Sequence, residues 1–212
     1  MVHKPLNLPA TVIFRPTPCQ WRLTAPVEDA GLAVYARRYS SAEEKYLNPW
    51  SVRAAFLELG TLSELTRFLN KTGFFNRFED EFRDLVEWQE LVRALITKNP
   101  QDWPLLSERF DKRKVRRVLQ EDRADCSFTW KVGKPCARLW TSSTLRAIVV
   151  SIQVDRLRGA RFRFCMKRDC GKPYEVTTAH ARLYCSQECA HHASVRRNRE
   201  RARRQRDLRP HG

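Results

Sequence analysis

The sequence has no long apolar run, and its first 20 residues are interrupted by Pro5, Pro9, Pro16 and Pro18. A signal peptide or a membrane-spanning helix requires an unbroken apolar segment. We therefore expect neither of these, and we expect the protein to be cytoplasmic.

Sequence signatures of catalysis are also scarce. His3 is the only one of the five histidines before residue 180, and glycine supplies only 7 of the 212 residues. We find no glycine-rich phosphate loop, no serine nucleophile elbow and no metalloprotease motif. Carboxylates such as Glu43, Glu79 and Asp80 are numerous, but they fall on polar faces where solvation explains them. We therefore expect that the protein is not an enzyme.

Positive charge is abundant and unevenly distributed. The chain carries 40 Lys and Arg against 24 Asp and Glu, a net charge of +16. Residues 156 to 212 hold 16 basic and 5 acidic residues, whereas residues 1 to 155 hold 24 and 19. The 42% apolar content can still fill a core. These values predict a folded protein whose C-terminal quarter binds a polyanion.

Local patterns predict a mainly α N-terminal domain with a small β-hairpin, an α+β domain over residues 1–157. Strands are expected at 11–14 and around 32–39. Ser51 is expected to cap a helix that runs to 59, and Thr61 with Glu64 forms a capping box for a second helix that Gly73 ends. Apolar residues from Phe78 to Ile96, spaced by three and four, predict a long amphipathic helix over 78–98 that ends before Pro100.

The rest of this domain shows shorter patterns. A helix is expected at 110–119, a hairpin at 127–132 and 135–140, and a helix at 142–157. Beyond this domain, a short strand is expected at 161–164. The five basic residues of the helix at 110–119 are interpreted as a solvated face, with contact to nucleic acid as the alternative.

Four of the seven cysteines form two close pairs. Cys165 and Cys170 are separated by four residues, Cys185 and Cys189 by three, and fourteen residues lie between the pairs. This spacing is typical of a closed tetrahedral zinc site, so residues 158–192 are predicted to form a zinc knuckle that holds one structural Zn²⁺. Ser186 is expected to cap a helix whose first turn contains Cys189.

Other interpretations of the cysteines stay open. The four could be reduced residues in a small core, and a histidine could assist the metal, with His191 and His192 as the candidates. Cys126 and Cys136 are interpreted as small buried residues and not as a disulfide. Cys19 has no assigned role.

Arginines dominate the end of the chain. Residues 193–212 contain neither glycine nor proline before Pro210, which predicts a continuous helix or tail. The guanidinium group matches phosphate, so this segment is predicted to bind nucleic acid. A solvated tail is the alternative. The predicted contact residues are Arg182, Arg196, Arg197, Arg199, Arg201, Arg203, Arg204 and Arg206.

The C-terminal residues resemble the bacterial CGNR zinc-finger family. The resemblance rests on Arg156 to Gly159, Arg161 to Phe164, the Cys165 to Gly171 segment with Tyr174, and Arg182 before Tyr184-Cys185-Ser186. Cys189-Ala-His-His192 stands where that family has Cys-Gly-Asn-Arg, and its second cysteine pair usually encloses four residues. The resemblance implies an ABATE-type N-terminal domain and a role as a stress-related transcription regulator.

Together these patterns predict a zinc-dependent DNA-binding transcriptional regulator in a bacterial cytoplasm or nucleoid. Residues 1–157 would sense a ligand, form a homodimer or recruit a partner. Three alternatives stay open: an RNA-binding protein that uses the same module, a zinc-knuckle adaptor that binds protein, and an enzyme delivered to its substrate by the module. The target sequence and the effector are not predicted.

Overall fold

A computed structural model of the protein forms two compact units, Met1–Gly159 and Ala160–Gly212, called here the N-terminal and C-terminal units. The structure describes residues 10–14, 16, 19–24, 33–38, 46–76, 81–82, 84–120, 125–131, 134–177 and 182–207. The described chain is mainly helical, with short strands in both units.

The strands of the N-terminal unit form two three-stranded sheets. In the first sheet, β1 (Ala10–Phe14) lies parallel to β6 (Lys134–Thr141), which pairs antiparallel with β5 (Asp125–Lys131). In the second sheet, β3 (Ala33–Arg38) lies between β2 (Cys19–Thr24) and β4 (Glu81–Phe82). The predicted hairpin is therefore present as β5 and β6, but it belongs to a larger sheet, and the unit contains more β-structure than the sequence predicts.

The predicted short helices are present as α1 (Pro49–Glu58) and α2 (Leu62–Thr72). The capping box of Thr61 and Glu64 is confirmed, and Gly73 ends α2 with a φ of 78°. The predicted cap of α1 is wrong, because the side chain of Asn48 accepts hydrogen bonds from the backbone of Trp50 and Ser51. Pro49 follows this cap at the first helical position, where it suits the backbone.

The prediction of a helix over residues 78–98 is only partly correct. The observed helix, α3, covers Leu85–Thr97, and Glu81–Phe82 form strand β4. Phe82 pairs with Val34 of β3 and is buried. Asp84 separates the strand from the helix with a φ of 56°, a backbone conformation that helical residues do not adopt. Residue 78 itself lies outside the described residues.

Helices complete the N-terminal unit. A 3-10 segment, Pro100–Glu108, follows α3, and α4 covers Lys112–Gln120. Helix α5 covers Thr144–Leu157, and Ser143 to Ile152 are all buried. The N–H groups of Thr144 and Leu145 donate to the carbonyls of Phe74 and Phe75, at 2.9 and 2.7 Å. Helix α5 is therefore the central core helix of the unit.

The C-terminal unit is built from a two-stranded hairpin and one long helix. Strands β7 (Phe162–Phe164) and β8 (Pro173–Glu175) pair antiparallel. Helix α6 covers Gln187–Asp207, which is 21 residues. The predicted boundary between residues 192 and 193 falls inside this continuous helix.

Candidate metal centre

The first cysteine pair lies on the connection between β7 and β8. Cys165 directly follows β7, and its N–H donates to the carbonyl of Lys172 at 3.0 Å. The N–H of Cys170 donates to the carbonyl of Lys167 at 3.0 Å, which closes a tight turn between the two cysteines. Gly171 then takes a φ of 55°, which glycine adopts without strain. This backbone turns both thiols toward one point.

The second pair lies at the start of α6. The hydroxyl of Ser186 accepts a hydrogen bond from the N–H of Cys189 at 3.1 Å, so the predicted helix cap is confirmed. Cys189 is the third residue of the helix, one turn after Cys185. A further hydrogen bond, from the N–H of Met166 to the carbonyl of Leu183 at 3.0 Å, joins the two cysteine-bearing segments.

The four thiols form one group, called here the cysteine cluster. Sγ of Cys165, Cys170, Cys185 and Cys189 all lie within 4.8 Å of one another. The Sγ atom of Cys185 lies 3.6 Å from the Sγ atoms of Cys170 and Cys189. A tetrahedron with zinc–sulfur bonds of about 2.3 Å has edges of about 3.8 Å, so the donor set fits one zinc ion. The four cysteines together can therefore bind a metal ion.

The thiols differ in acidity in the absence of a cation. Burial opposes ionisation of Cys165, but hydrogen bonds from the backbone of Cys185 and Lys167 outweigh it and lower its pKa to about 7. Burial, together with the neighbouring thiols, raises the pKa of Cys185 to about 12. Burial also raises the pKa of Cys170. One thiolate therefore forms readily, while Cys170 and Cys185 need a cation to ionise near neutral pH.

Arg182 supports the second cysteine pair through its side chain. Its Nε donates to the carbonyl of Tyr184 at 2.8 Å, and its Nη2 donates to the carbonyl of Cys185. The guanidinium also lies 5.6 Å from the ring centre of Tyr174, whose hydroxyl donates to the carbonyl of Arg182. A nucleic-acid contact was predicted for Arg182, but these backbone contacts were not; the only sequence signal for them is its position just before Tyr184 and Cys185.

The histidines of α6 lie outside the cysteine cluster. His191 and His192 are exposed, and Nε2 of His192 lies 3.6 Å from a carboxylate oxygen of Glu188. Among the residues that the structure describes, the group of potential metal ligands consists of the four cysteines. His180 lies outside the described residues.

Six of the predicted contact arginines lie on the exposed part of α6: Arg196, Arg197, Arg199, Arg201, Arg203 and Arg204. Residues 196 to 205 are all exposed, whereas Ala193 is buried. Arg196 is within 3.6 Å of Glu200, one turn further along the helix. We call residues 196–207 the arginine helix; it contains Arg196, Arg197, Arg199, Arg201, Arg203, Arg204 and Arg206. Helix α6 therefore runs from the cysteine cluster directly into this basic surface.

A comparison of the chain with models of known protein families finds no match, and a comparison with curated proteins finds none. Over the described part of the chain, no helix is both long and apolar enough to cross a membrane.

Proposed function

We propose that the protein binds nucleic acid through the arginine helix, that one structural zinc ion folds the C-terminal unit, and that the protein is a DNA-binding transcriptional regulator. The observation that carries this proposal is the continuity of α6. Its first turn contributes Cys189 to the cysteine cluster, and its later turns expose Arg196, Arg197, Arg199, Arg201, Arg203 and Arg204. A metal centre thus anchors a basic helix.

The charge pattern of the arginine helix favours a helix that binds a polyanion over a helix that is only solvated. Arg197 and Arg201 are four residues apart, as are Arg199 and Arg203, and such like-charged pairs destabilise an isolated helix. A helix that is polar on all sides gains little from packing. Phosphates would neutralise these charges, and the stretch from 196 to 205 spans about 15 Å, enough to follow a groove.

The metal would have a structural role. Cys165, Cys170, Cys185 and Cys189 would hold it, and four thiolates leave no open coordination position for a substrate. Bound zinc would supply the positive charge that Cys170 and Cys185 need to ionise. The N-terminus of α6 carries a partial positive charge that favours the thiolate cluster. We propose no catalytic role for this site.

We further propose kinship with the CGNR zinc-finger family, on the residues around the four cysteines and on the basic helix that follows them. In this proposal the N-terminal unit senses a ligand, dimerises or recruits a partner, and the protein acts in the cytoplasm.

The proposal can be tested with the intact, zinc-loaded protein and a labelled DNA duplex. We expect a rise in fluorescence anisotropy on binding, which a chelator reverses and zinc restores. Unlabelled RNA of the same sequence then competes at matched salt. If RNA displaces the probe at far lower concentration than DNA does, the partner is RNA. If neither polymer binds at low salt, the proposed function is wrong and the adaptor alternative gains support.

A further inference from the structure

Two large apolar side chains are exposed on the C-terminal unit, next to the cysteine cluster. Met166 is 69% exposed and Leu183 is 47% exposed. The hydrogen bond between the N–H of Met166 and the carbonyl of Leu183 places them side by side on the two cysteine-bearing segments. We call them the apolar pair. Both residues therefore present apolar surface to solvent, Met166 over most of its area and Leu183 over about half.

A groove lies beside the apolar pair and leads to the start of α6. Its volume is about 410 Å³, and it is lined by Arg182, Leu183, Tyr184, Ser186, Gln187 and Ala190. This volume falls at the lower end of the range of small-molecule sites, about 300 to 1,000 Å³. Leu183 and Tyr184 give the groove an apolar side, and Arg182 adds a positive charge.

The surroundings of the pair decide which partner fits. Residues 166 to 172 contain three basic side chains, Lys167, Arg168 and Lys172, and one acidic side chain, Asp169. A stable protein interface buries about 800 Å² on each partner, far more than two side chains provide. A nucleotide, by contrast, offers the flat face of one base for contact with a few side chains, together with a phosphate on its sugar.

We propose that the apolar pair contacts the faces of nucleobases, while the arginine helix contacts the phosphates. This inference rests on the proposed function and adds to it a preference for bases that are unstacked. A thioether makes favourable contacts with aromatic rings, and proteins use Met and Leu as wedges between base steps. The basic side chains around the pair keep the backbone of the polynucleotide close.

The test uses the full-length, zinc-loaded protein and three DNA probes that contain 2-aminopurine. In the first the reporter base is in a single strand, in the second it is unpaired within a duplex, and in the third it is paired. The variant Met166→Gln/Leu183→Gln removes the apolar faces with little change in size, and Met166→Leu serves as the matched apolar control. Zinc content and the salt dependence of binding are measured for each protein.

We expect the wild-type protein to change the 2-aminopurine emission of the unpaired probes. The double variant should bind those probes roughly tenfold more weakly. Its salt dependence and zinc content should stay unchanged, because no charge or ligand is lost. Met166→Leu should behave like the wild type. The emission of the paired probe should change less, because its reporter base stays stacked within the duplex.

Three outcomes would overturn the inference. Wild-type affinity and emission in the double variant would contradict it and leave the proposed function intact. Loss of zinc in the double variant would assign the two residues to folding of the metal centre. Absence of wild-type binding to all three probes would remove the proposed function and the inference together.

Discussion

Cys165 and Cys185 belong to the same cluster but resist ionisation to very different degrees. The backbone hydrogen bonds that Cys165 receives outweigh its burial and lower its pKa to about 7, while burial and the neighbouring thiols raise the pKa of Cys185 to about 12. A metal ligand must be a thiolate, so zinc binding displaces protons and weakens as pH falls. The four cysteines therefore become thiolates together only when the cation is bound.

We predict that Cys170→Ser or Cys185→Ser sharply lowers the zinc content of the purified protein. Each change removes one of four converging ligands, and a hydroxyl is a poor substitute for a thiolate. Elemental analysis should give about one zinc per wild-type chain. Cys126→Ser is the control, because Cys126 lies on β5 of the other unit and should leave the zinc content unchanged.

Retention of full zinc by both cluster variants would show that the ligands are other residues. Loss of zinc in Cys126→Ser would show instead that the metal depends on the N-terminal unit.

Arg182 leads to a second prediction at the residue scale. Arg182→Lys keeps the charge but loses the planar group that reaches the carbonyls of Tyr184 and Cys185. Groups that orient metal ligands typically contribute tenfold or more to metal affinity. We therefore expect zinc to pass from the Arg182→Lys variant to a coloured chelator about tenfold faster than it passes from the wild type. Arg168→Lys, at an exposed position on the first cysteine-bearing segment, is the matched control.

If the two variants release zinc at the same rate as the wild type, Arg182 does not position the second cysteine pair. A normal release rate together with weaker DNA binding would favour the direct nucleic-acid contact predicted for it.

Helix α6 combines two parts with different environments. The first part carries Cys189 and the buried Ala193, and the second part is the arginine helix, which is exposed from residue 196 to residue 205. The Ser186 cap and the cysteine cluster involve only the first part. The arginine helix therefore continues a helix that the cysteine cluster starts, which reduces the cost of nucleation.

We predict that replacing Arg196, Arg197, Arg203 and Arg204 together by Ala weakens binding to every DNA sequence and flattens its salt dependence. Log affinity falls with log salt concentration, and each phosphate contact adds about 0.9 to the steepness of that fall. The loss of four contacts should therefore make the slope less steep by roughly 3.6. Alanine favours helix, so the fold should persist. Titrations at several salt concentrations measure both quantities.

The matched control replaces the same four arginines by Lys, which keeps the charge and should keep most of the slope. Zinc content should stay at about one per chain in both variants, because the changed residues follow the last cysteine by more than one turn. An unchanged slope in the alanine variant would mean that the arginine helix does not contact phosphates.

At the scale of the whole molecule, the two units differ in what stabilises them. The N-terminal unit has its own core, in which Phe56, Leu65, Leu91 and Ile148 are completely buried. In the C-terminal unit, Cys165 and Ala193 are the buried apolar residues among those described. A unit with so few buried side chains needs another source of stability, and a structural metal can supply it.

We predict that a chelator unfolds the C-terminal unit and leaves the N-terminal unit folded. All six tryptophans, at positions 21, 50, 88, 103, 130 and 140, belong to the N-terminal unit. Tryptophan emission and its thermal transition should therefore be unchanged by the chelator, while the helical circular dichroism signal falls as α6 unwinds. Added zinc should restore the signal.

A red shift of tryptophan emission on chelation would contradict this prediction, because it would show that the two units unfold together. The zinc-free variant Cys170→Ser, measured without chelator, controls for effects of the chelator itself.

The sequence alone determined the features that depend on neighbouring residues. The capping box of Thr61 and Glu64, the stop at Gly73 and the cap at Ser186 are all formed within one helical turn. The cysteine pairs are equally local, since Cys165 with Cys170 and Cys185 with Cys189 each need only one turn of backbone. Their spacing was enough to predict one cluster, whose donor set fits a zinc ion.

Only the tertiary structure decided the pairings between distant residues. Strand β1 lies beside β6, with Ala10 opposite Ala137, and Phe82 joins β3 although its spacing suits a helix. The free energy of such contacts depends on burial and hydrogen bonds with partners that local sequence does not reveal. The same holds for Arg182, whose bonds to the backbone beside the cluster exist only once the second cysteine pair is folded.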